Sequence, residues 1–198
     1  MRCEVPLANG GVAFVDDVDY DAVSQYVWRA TTHKNTTYAQ RSWSERNKTR
    51  NQYLHHFIMP IIHRKEVDHR NRNGLDCSRE NLRYATRSQN MANQKTHNER
   101  VGYKGVWPTR SNTFSSMITL NYRQYSVGTF PTAVGAALAY DREARRIFGE
   151  YARPNFIERP MLCSICGGTG WSVRLKPPKA SVCCSDCHGR GVVSWRGI

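Results

Sequence analysis

Apolar and polar positions alternate differently along the chain, and each change of pattern marks a new segment. In the first 60 residues, strand-length apolar and aromatic runs, GVAFVDD and YLHHFIM, are separated by the turn-rich segments TTHKNTT and SERNKTRNQ. This part is therefore expected to form short strands. Negative charge before AVSQYVW favours the start of a short helix there. The residues that carry it are Asp16, Asp17, Asp19 and Asp21.

Residues 67–94 form a dense polar block that predicts a strand, a loop, a second strand and a helix. VDH ends the first strand, Asn73 and Gly74 form a turn, NLRYA returns as a strand, and TRSQNMANQK follows as a helix. Thr86 and Gln89 have the spacing of a capping box, which makes Thr86 the expected N-cap residue.

Residues 102–156 show a strand period followed by a helical one. Phe114, Ile118 and Leu120 fall on one face of a strand, and Ser115, Met117 and Thr119 fall on the other. NYRQ predicts a hairpin to YSVGTF. The following Ala-rich helix has Thr132 as its N-cap, Val134, Ala137 and Leu138 on one face, and Gly149 at its end. We expect a three-stranded sheet packed on one helix, with the other face of the sheet free.

Composition and charge narrow the class of protein. Apolar residues make up 39% and charged residues 23% of the 198 residues, which argues against a disordered chain. No run has the length of a membrane helix and no signal peptide is visible, so a soluble, cytoplasmic protein is expected. The net charge is +13, and the excess of basic residues lies after residue 60. This distribution indicates a polyanion partner, although a merely soluble basic surface is an alternative.

The polar block carries the strongest candidate chemistry. It brings together an aspartate, a histidine and two asparagines, without a serine or cysteine nucleophile: Asp68, His69, Asn81 and Asn90. Oxygen ligands suit one hard metal ion, and an imidazole can activate water. The alternative is a loop that is rich in asparagine because asparagine suits turns. His55, His56 and His63 are interpreted as packing or surface residues, outside the site.

The block resembles the HNH (ββα-metal) endonucleases, in particular the phage and intron-encoded homing type. That family's pattern is met by Asp68-His69, Asn81 and Asn90, at intervals of 12 and 9 residues. The resemblance extends over residues 4–95, with Asn90 where histidine is common and His56 where arginine usually follows Leu-His. It implies that His69 is the general base, that Asp68 and Asn90 hold Mg²⁺ or a similar ion, and that Asn81 either accepts the other ring N–H of His69 or braces the loop.

Residues 102–156 resemble an AP2 domain, through Gly105-Val106, GTF, AALAYDREAR and the closing NF. In that family the exposed sheet face lies in the major groove of DNA. The resemblance implies DNA-contacting positions at Lys104, Trp107, Arg110, Ser115, Met117, Thr119 and Arg123. Trp107 stands where plant domains usually have arginine, so their target sequence does not carry over. The alternative is that Lys104, Arg110 and Arg123 form only a solvated face.

Five of the seven cysteines lie in the last 36 residues. Cys163 and Cys166 form one C-x-x-C pair, Cys184 and Cys187 form another, and 17 residues separate the pairs. This spacing predicts one structural Zn²⁺ held by four thiolates. A redox pair and a ligand role for His188 are the alternatives. The two CxxCxGxG motifs resemble half of the four-motif DnaJ-type zinc finger, but the absence of other DnaJ segments argues against a chaperone.

The sequence therefore predicts an α+β protein of three modules: a nuclease domain over 1–97, an AP2-like domain over 102–156 and a zinc-binding module over 157–198. The leading hypothesis is a metal-dependent endonuclease that acts as a monomer on double-stranded DNA, with no membrane and no small-molecule substrate. The competing hypothesis is a regulator that binds DNA without cutting it. A complete set of Asp68, His69, Asn81 and Asn90 favours the enzyme, because a pure binding protein does not need it.

Overall fold

The computed structural model describes residues 1–94 and 101–156, together with the backbone of residues 171–172 and 182–183. The chain divides into two compact units, Met1–Asn93 and Gln94–Ile198. The described chain contains α-helices as well as several small sheets, which confirms the mixed α and β composition expected from the sequence. Within the described ranges, none of the helices combines the length and apolar character needed to cross a membrane.

The first unit contains three small antiparallel sheets and three short helices. Strands β1 and β2 form a hairpin, β3, β4 and β5 form a sheet in that order, and β6 pairs with β7. The elements are β1 (Arg2–Pro6), β2 (Val12–Asp16), α1 (Asp17–Ser24), β3 (Arg29–His33), β4 (Thr36–Glu45), β5 (Lys48–Tyr53), α2 (Leu54–Ile58), β6 (Glu66–His69), β7 (Leu82–Ala85) and α3 (Arg87–Asn93).

One hydrophobic core joins these elements. Its largest fully buried side chains include Trp28, Leu54, Val15 and Val23. The indole N–H of Trp28 donates to the carbonyl of Val23 over 2.9 Å, so the ring is buried without an unpaired donor. Strand β6 contributes Val67 to the same cluster, and this anchors the strand that carries Asp68 and His69.

The predicted elements around the polar block are confirmed. Strand β6 ends at His69, β7 returns through Leu82–Ala85, and α3 begins directly after Thr86. The capping box is reciprocal: the Thr86 hydroxyl accepts from the backbone N–H of Gln89 over 3.3 Å, and the backbone N–H of Thr86 donates to the Gln89 side chain over 2.8 Å. A short helix, α1, also forms in this region, but it begins at Asp17, five residues before AVSQYVW, and ends at Ser24, so Asp17 and Asp19 lie in its first turn.

Two expectations for residues 1–60 are wrong. YLHHFIM is mostly not a strand, because Leu54–Ile58 form helix α2. Leu54 and Ile58 are four residues apart, so a single helical turn buries both of them in the core. An apolar run this short fits either a helix or a strand, and packing decided between them.

The segments TTHKNTT and SERNKTRNQ are also more than turns, since strands β3, β4 and β5 run through them. The turns themselves are tight. In the β4–β5 connection, Arg46 and Asn47 both have positive φ, at 49° and 60°. Two such residues in succession give the twist that joins antiparallel strands, which leaves the polar residues on either side free to pair as strands.

The second unit contains a three-stranded antiparallel sheet in the order β10-β9-β8 and a long helix, α4, as predicted. Its elements are β8 (Val106–Pro108), β9 (Phe114–Leu120), β10 (Arg123–Phe130), α4 (Ala133–Phe148) and a 3₁₀ turn (Gly149–Tyr151). The Thr132 hydroxyl caps α4 by accepting from the N–H of Gly135 over 3.1 Å. Gly149 follows the helix with a φ of 53°, which confirms both predicted helix ends.

The chain after α4 is tied back to the start of this unit by a buried carboxylate. Asp141 is fully buried and accepts from the backbone N–H groups of Asn155 and Phe156 over 2.7 and 2.9 Å. The Asn155 side chain accepts in turn from the N–H of Lys104 over 2.6 Å. These bonds fix residues 104 and 155 beside each other and close the module.

The backbone described further along the chain consists of strands β11 (Trp171–Ser172) and β12 (Val182–Cys183), which pair in antiparallel fashion. The four predicted zinc ligands, Cys163, Cys166, Cys184 and Cys187, lie outside the described residues, as does His188. The zinc site and the boundaries of the three predicted modules stay predictions.

Candidate functional site

The β6–β7 hairpin and helix α3 bring the polar side chains of residues 66–93 to one place. Asp68 and His69 are the last two residues of β6, Asn81 directly precedes β7, and Asn93 ends α3. All four side chains belong to buried residues, with exposures of 5–7%. Buried polar groups must find partners, and their partners define the geometry of the site.

The carboxylate of Asp68 is held from two sides. Its Oδ2 accepts from Nε of Arg83 over 2.9 Å, and its Oδ1 accepts from Nδ2 of Asn93 over 3.0 Å. Arg83 lies directly opposite Asp68 in the β6–β7 pair and is itself only 7% exposed. Two charge-assisted bonds in a buried setting fix the position of the carboxylate.

Helix α3 lies with one face along β6. Asn93 also donates to the backbone carbonyl of His69 over 2.9 Å, while Asn90 donates to the carboxylate of Glu66 over 2.5 Å. Asn90 and Asn93 are three residues apart on the helix, and Glu66 and Asp68 are two apart on the strand, so each pair shares a face. The predicted metal ligand Asn90 thus sits over Glu66, and Asn93, which the sequence reasoning missed, sits over Asp68.

The ring of His69 packs against other aromatic side chains. Its centroid is 5.0 Å from the ring of His55 and 5.8 Å from the ring of Tyr38. Its Nε2 is 4.0 Å from the Sγ of Cys77. Burial lowers the pKa of His69 to about 4, against the opposing effect of the nearby carboxylates of Asp68 and Asp76. The imidazole is therefore neutral at pH 7, the form that can accept a proton.

His55 belongs to the same cluster, although the sequence placed it outside the site. Its ring stacks on that of Tyr53 at 5.3 Å and stands edge-on to His69. Burial lowers its pKa to about 2, so it is neutral as well. The Nδ1 of His55 is buried and has no hydrogen-bond partner among the described residues. The four-residue spacing of Leu54 and Ile58 was the sequence signal for a helix here. Such a helix would have predicted that His55 is buried with them. His63 is exposed.

Asn81 shapes the loop between β6 and β7. Its Oδ1 accepts from the N–H of Asn71 over 2.9 Å, and its Nδ2 donates to the carbonyl of Asp76 over 2.6 Å. Of the two roles that the family resemblance implies for Asn81, these contacts are those of a loop brace. The brace holds the turn that follows His69.

Gly74 allows this loop to lie against strand β4. A Cβ atom at Gly74 would be 2.5 Å from the carbonyl oxygen of Thr37 and 2.6 Å from the ring of Tyr38. Side-chain carbons do not approach other atoms so closely. The glycine therefore lets Tyr38 stand between the loop and His69, and any larger residue would displace it.

The predicted DNA-contacting residues of the second unit fall largely on one sheet face. Trp107 lies opposite Ser115 in the β8–β9 pair, and Met117 and Thr119 follow on the same side of β9. Trp107 is 48% exposed, and Arg110 and Arg123 are exposed. The Lys104 ammonium donates to the carbonyl of Gln94 over 2.9 Å. The buried side of β9 carries Ile118, as the strand period predicted.

The oxygen donors at the end of β6 are one carboxylate and the side-chain amides of α3. Among the described residues, no three His, Cys, Asp or Glu side chains converge on a point that could hold a metal ion. A site at Asp68 would therefore draw on amide oxygens, water and phosphate for its remaining ligands. Mg²⁺ accepts such a set, because it binds through one or two carboxylates and keeps several waters.

Comparison with known proteins agrees with this location. Residues 61–92 match the family model described as HNH endonuclease. The chain is also 33% identical, over 111 residues, to a protein of Acanthamoeba polyphaga mimivirus that is named an uncharacterized HNH endonuclease. The aligned part covers 53% of this chain and 58% of the viral protein, so the chain spans little more than half the length of that relative. No solved structure matches the chain significantly.

Proposed function

We propose that the chain is a metal-dependent DNA endonuclease that hydrolyses phosphodiester bonds at the end of strand β6. The observation that carries the proposal is the juxtaposition of a fixed carboxylate, Asp68, with a buried neutral imidazole, His69, inside the segment that matches the HNH endonuclease model. The net charge of +13 fits a DNA substrate.

His69 acts as the general base in this proposal. A neutral ring can take a proton from a water molecule that is positioned in line with a phosphodiester bond. Asn93 holds the backbone carbonyl of His69, and Asn81 braces the loop that follows it. In this proposal Asn93 and Asn81 therefore fix the backbone that carries the imidazole and take no part in the proton transfer. The packed rings of Tyr38 and His55 restrict its rotation further.

Asp68 and Asn90 are the proposed ligands of a divalent ion such as Mg²⁺. When bound, the ion supplies positive charge that offsets the charge developing on the phosphate and leaving oxygens. Asp68 is already oriented by Arg83 and Asn93. Asn90 would offer its amide oxygen to the ion, since its amide nitrogen donates to Glu66. The guanidinium of Arg83 neutralises part of the Asp68 charge, so the ion is expected to bind weakly and exchange readily.

The second unit is the proposed DNA-recognition module, acting in the manner of an AP2 domain. Trp107, Ser115, Met117 and Thr119 share the face of its sheet opposite to the buried Ile118, which suits a strand-type fit into the major groove. Lys104, Arg110 and Arg123 are the proposed phosphate contacts around that face.

The last module is proposed to hold one Zn²⁺ through Cys163, Cys166, Cys184 and Cys187. Two C-x-x-C pairs at this spacing support it. Elemental analysis of the protein, purified under reducing conditions and then gel-filtered, should give about one zinc per chain, since structural thiolate sites bind tightly. Protein without zinc would contradict this part of the proposal.

The nuclease proposal is tested by incubating the purified chain with supercoiled plasmid, either in EDTA or with Mg²⁺ restored. Open-circular or linear product that requires Mg²⁺ is the expected result, and the ratio of the two distinguishes nicking from double-strand cutting. A protein that shifts the plasmid in a gel but leaves it intact with every divalent ion would be the DNA-binding regulator instead.

A further inference from the structure

The β4–β5 hairpin continues well beyond the core of the first unit. All ten residues from Ser42 to Asn51 are exposed, yet strand pairing persists to Glu45 and Lys48. We call residues 42–51 the projecting ribbon. A regular two-stranded ribbon with both sides open buries little apolar surface, so the core alone does not explain its length.

The two faces of this hairpin differ in chemistry. On one face, Gln40 pairs with Tyr53, Ser42 with Asn51, and Ser44 with Thr49. We call the set of Gln40, Ser42, Ser44, Thr49 and Asn51 the uncharged face. Its members carry only hydroxyl and amide groups, which both donate and accept hydrogen bonds. The Ser42 hydroxyl donates to Oδ1 of Asn51 over 2.6 Å, which orients that amide.

On the opposite face, the base of the hairpin contacts the core and the charged side chains further out contact each other. The guanidinium of Arg41 lies 3.8 Å from the ring centroid of Tyr26 and 5.0 Å from that of Trp43. Arg50 pairs with Glu45 over 3.1 Å. This face therefore fastens the base of the hairpin to the core, and the uncharged face is the side that is left for a partner.

The uncharged face runs directly into the candidate nuclease site. Tyr38 precedes Gln40 on the same side of β4, and Tyr53 is the last member of β5 on that side. Tyr38 contacts His69, and Tyr53 stacks on His55. A nucleic acid bound at His69 would thus meet this face next.

Charge and size both fit a DNA duplex. Within the projecting ribbon, Arg46, Lys48 and Arg50 outnumber Glu45, for a net charge of +2 (three basic minus one acidic residue). The major groove, ~12 Å wide, admits a two-stranded ribbon. The ten residues from Tyr38 to Asn47 are joined by nine steps of ~3.3 Å and span about 30 Å, or roughly nine base pairs at ~3.4 Å.

We propose that the projecting ribbon lies in the major groove of the duplex that is cut, with its uncharged face reading base edges on one side of the cut within about nine base pairs. The proposal rests on the proposed function for its substrate, and it assigns sequence reading to the first unit in addition to the second. Asn51 and Gln40 are the amides suited to adenine, and Ser42, Ser44 and Thr49 can bond to either type of base.

The test uses the full chain in EDTA, so that binding is measured without cutting. Sequences are selected from a pool of randomised duplexes by the parent, by Ser42→Ala/Asn51→Ala, and by Thr32→Ala/Thr37→Ala. The control removes a cross-strand side-chain hydrogen bond of 3.0 Å from the same sheet, on the opposite face. Circular dichroism and thermal unfolding confirm that both variants fold like the parent.

The expected result is that Ser42→Ala/Asn51→Ala loses one block of the selected motif and binds the parent sequence about tenfold more weakly, while the control keeps both. Methylation of guanine N7 in that block, which marks the major groove, should block binding of the parent. The block should also lie within about nine base pairs of the cut when Mg²⁺ is added. The same motif and affinity for all three proteins would overturn the proposal, as would duplex RNA competing as well as DNA.

The outcomes separate the two proposals. A chain that selects the motif through the projecting ribbon but never cuts DNA would refute the nuclease and keep the ribbon assignment. A chain that cuts DNA with the same site preference in all three forms would keep the nuclease and refute the ribbon assignment.

Discussion

At the scale of single residues, the centre of the first unit is organised around the carboxylate of Asp68. Arg83 and Asn93 hold it over 2.9 and 3.0 Å, and all three residues are buried. Removing one partner from such a group leaves a buried charge or amide unsatisfied, which costs more than the bond itself contributes. Substituting the two asparagines of α3 one at a time therefore separates a structural role, expected for Asn93, from a metal-binding role, proposed for Asn90.

Asn90→Ala and Asn93→Ala should have different effects. Asn93 holds Asp68 and the His69 carbonyl from inside the core, so its loss should lower the free energy of unfolding by about 1–3 kcal/mol. Asn90 is only half-buried and contacts Glu66, so its loss should change stability little but raise the Mg²⁺ concentration needed for cleavage. Urea unfolding and a Mg²⁺ titration of cleavage rate measure the two effects. A normal Mg²⁺ requirement in Asn90→Ala would remove it from the proposed ligand set.

The buried histidines predict a pH dependence of stability. Burial lowers the pKa of His55 to about 2 and that of His69 to about 4, whereas both titrate near ~6.5 when unfolded. The unfolded chain therefore binds more protons below that pH, and the stability that is present above ~6.5 is lost as the pH falls towards the folded values. Between pH 7 and pH 5 each histidine should cost about 2 kcal/mol.

Urea unfolding at pH 7 and pH 5 checks this, with His55→Asn as the variant and His63→Asn as the control. The first substitution should reduce the difference in unfolding free energy between the two pH values, and the second, at an exposed position, should leave it unchanged. A pH difference that is the same in His55→Asn as in the parent would show that His55 is not buried in its neutral form.

At the scale of elements, prediction from sequence succeeded where local chemistry decides. The capping box at Thr86, the N-cap at Thr132 and the helix end at Gly149 are settled within a few residues of chain, and all three form as expected. Helix α2 and the β3–β5 sheet were missed because tertiary packing decides them. Leu54 and Ile58 are buried by a core that is assembled from distant segments, and polar strands such as Lys48–Tyr53 carry no hydrophobic period.

In the candidate site, too, the features that depend on tertiary packing could not be predicted from the sequence. Asp68, His69 and Asn81 could be found from their types and spacing, but Asn93 and Arg83 could not, because each is defined by its contact with Asp68 across the hairpin or the helix. His55 was likewise invisible as a neighbour of His69 until α2 turned it into the core. Contacts between elements depend on the docking of α2 and α3, which a single sequence does not specify.

The N-cap residue Thr86 should contribute measurably to the stability of helix α3. Thr86→Ala removes the hydroxyl that accepts from Gln89, and loss of an N-cap costs about 0.5–2 kcal/mol. Thr86→Ser keeps the hydroxyl and should retain most of the stability. Because α3 carries Asn90 and Asn93, the alanine variant should also cut DNA more slowly at a temperature near its unfolding midpoint. Thermal unfolding of both variants tests this, and equal stability of Thr86→Ala and the parent would contradict it.

At the scale of the whole molecule, charge is divided unevenly between the parts that we assign to cutting and to binding. The first unit, Met1–Asn93, carries 14 basic and ten acidic side chains, whereas the second, Gln94–Ile198, carries 15 basic and six acidic ones. Phosphate contacts release counterions, so affinity that depends on them falls with added salt. The second unit should therefore supply much of the salt-dependent affinity, while the projecting ribbon supplies local reading beside the cut.

Lys104→Ala and Arg110→Ala should each weaken binding to all DNA sequences alike and reduce the slope of log affinity against log salt by about 1. Arg142→Ala is the control, because Arg142 is exposed on α4 rather than on the proposed DNA face. Gel-shift titrations at several salt concentrations give the slopes. Equal slopes for the parent and both variants would mean that these two residues do not contact phosphate.

The central claim, that His69 is the base of a nuclease, is tested most directly by measuring cleavage and binding together for the parent, His69→Ala and His63→Ala. Loss of a general base lowers the rate by ~10²–10⁴, so His69→Ala should lose cleavage at that scale while its affinity for DNA in EDTA stays within a few-fold of the parent. His63→Ala should match the parent in both. Cleavage by His69→Ala at the parent rate would contradict the account.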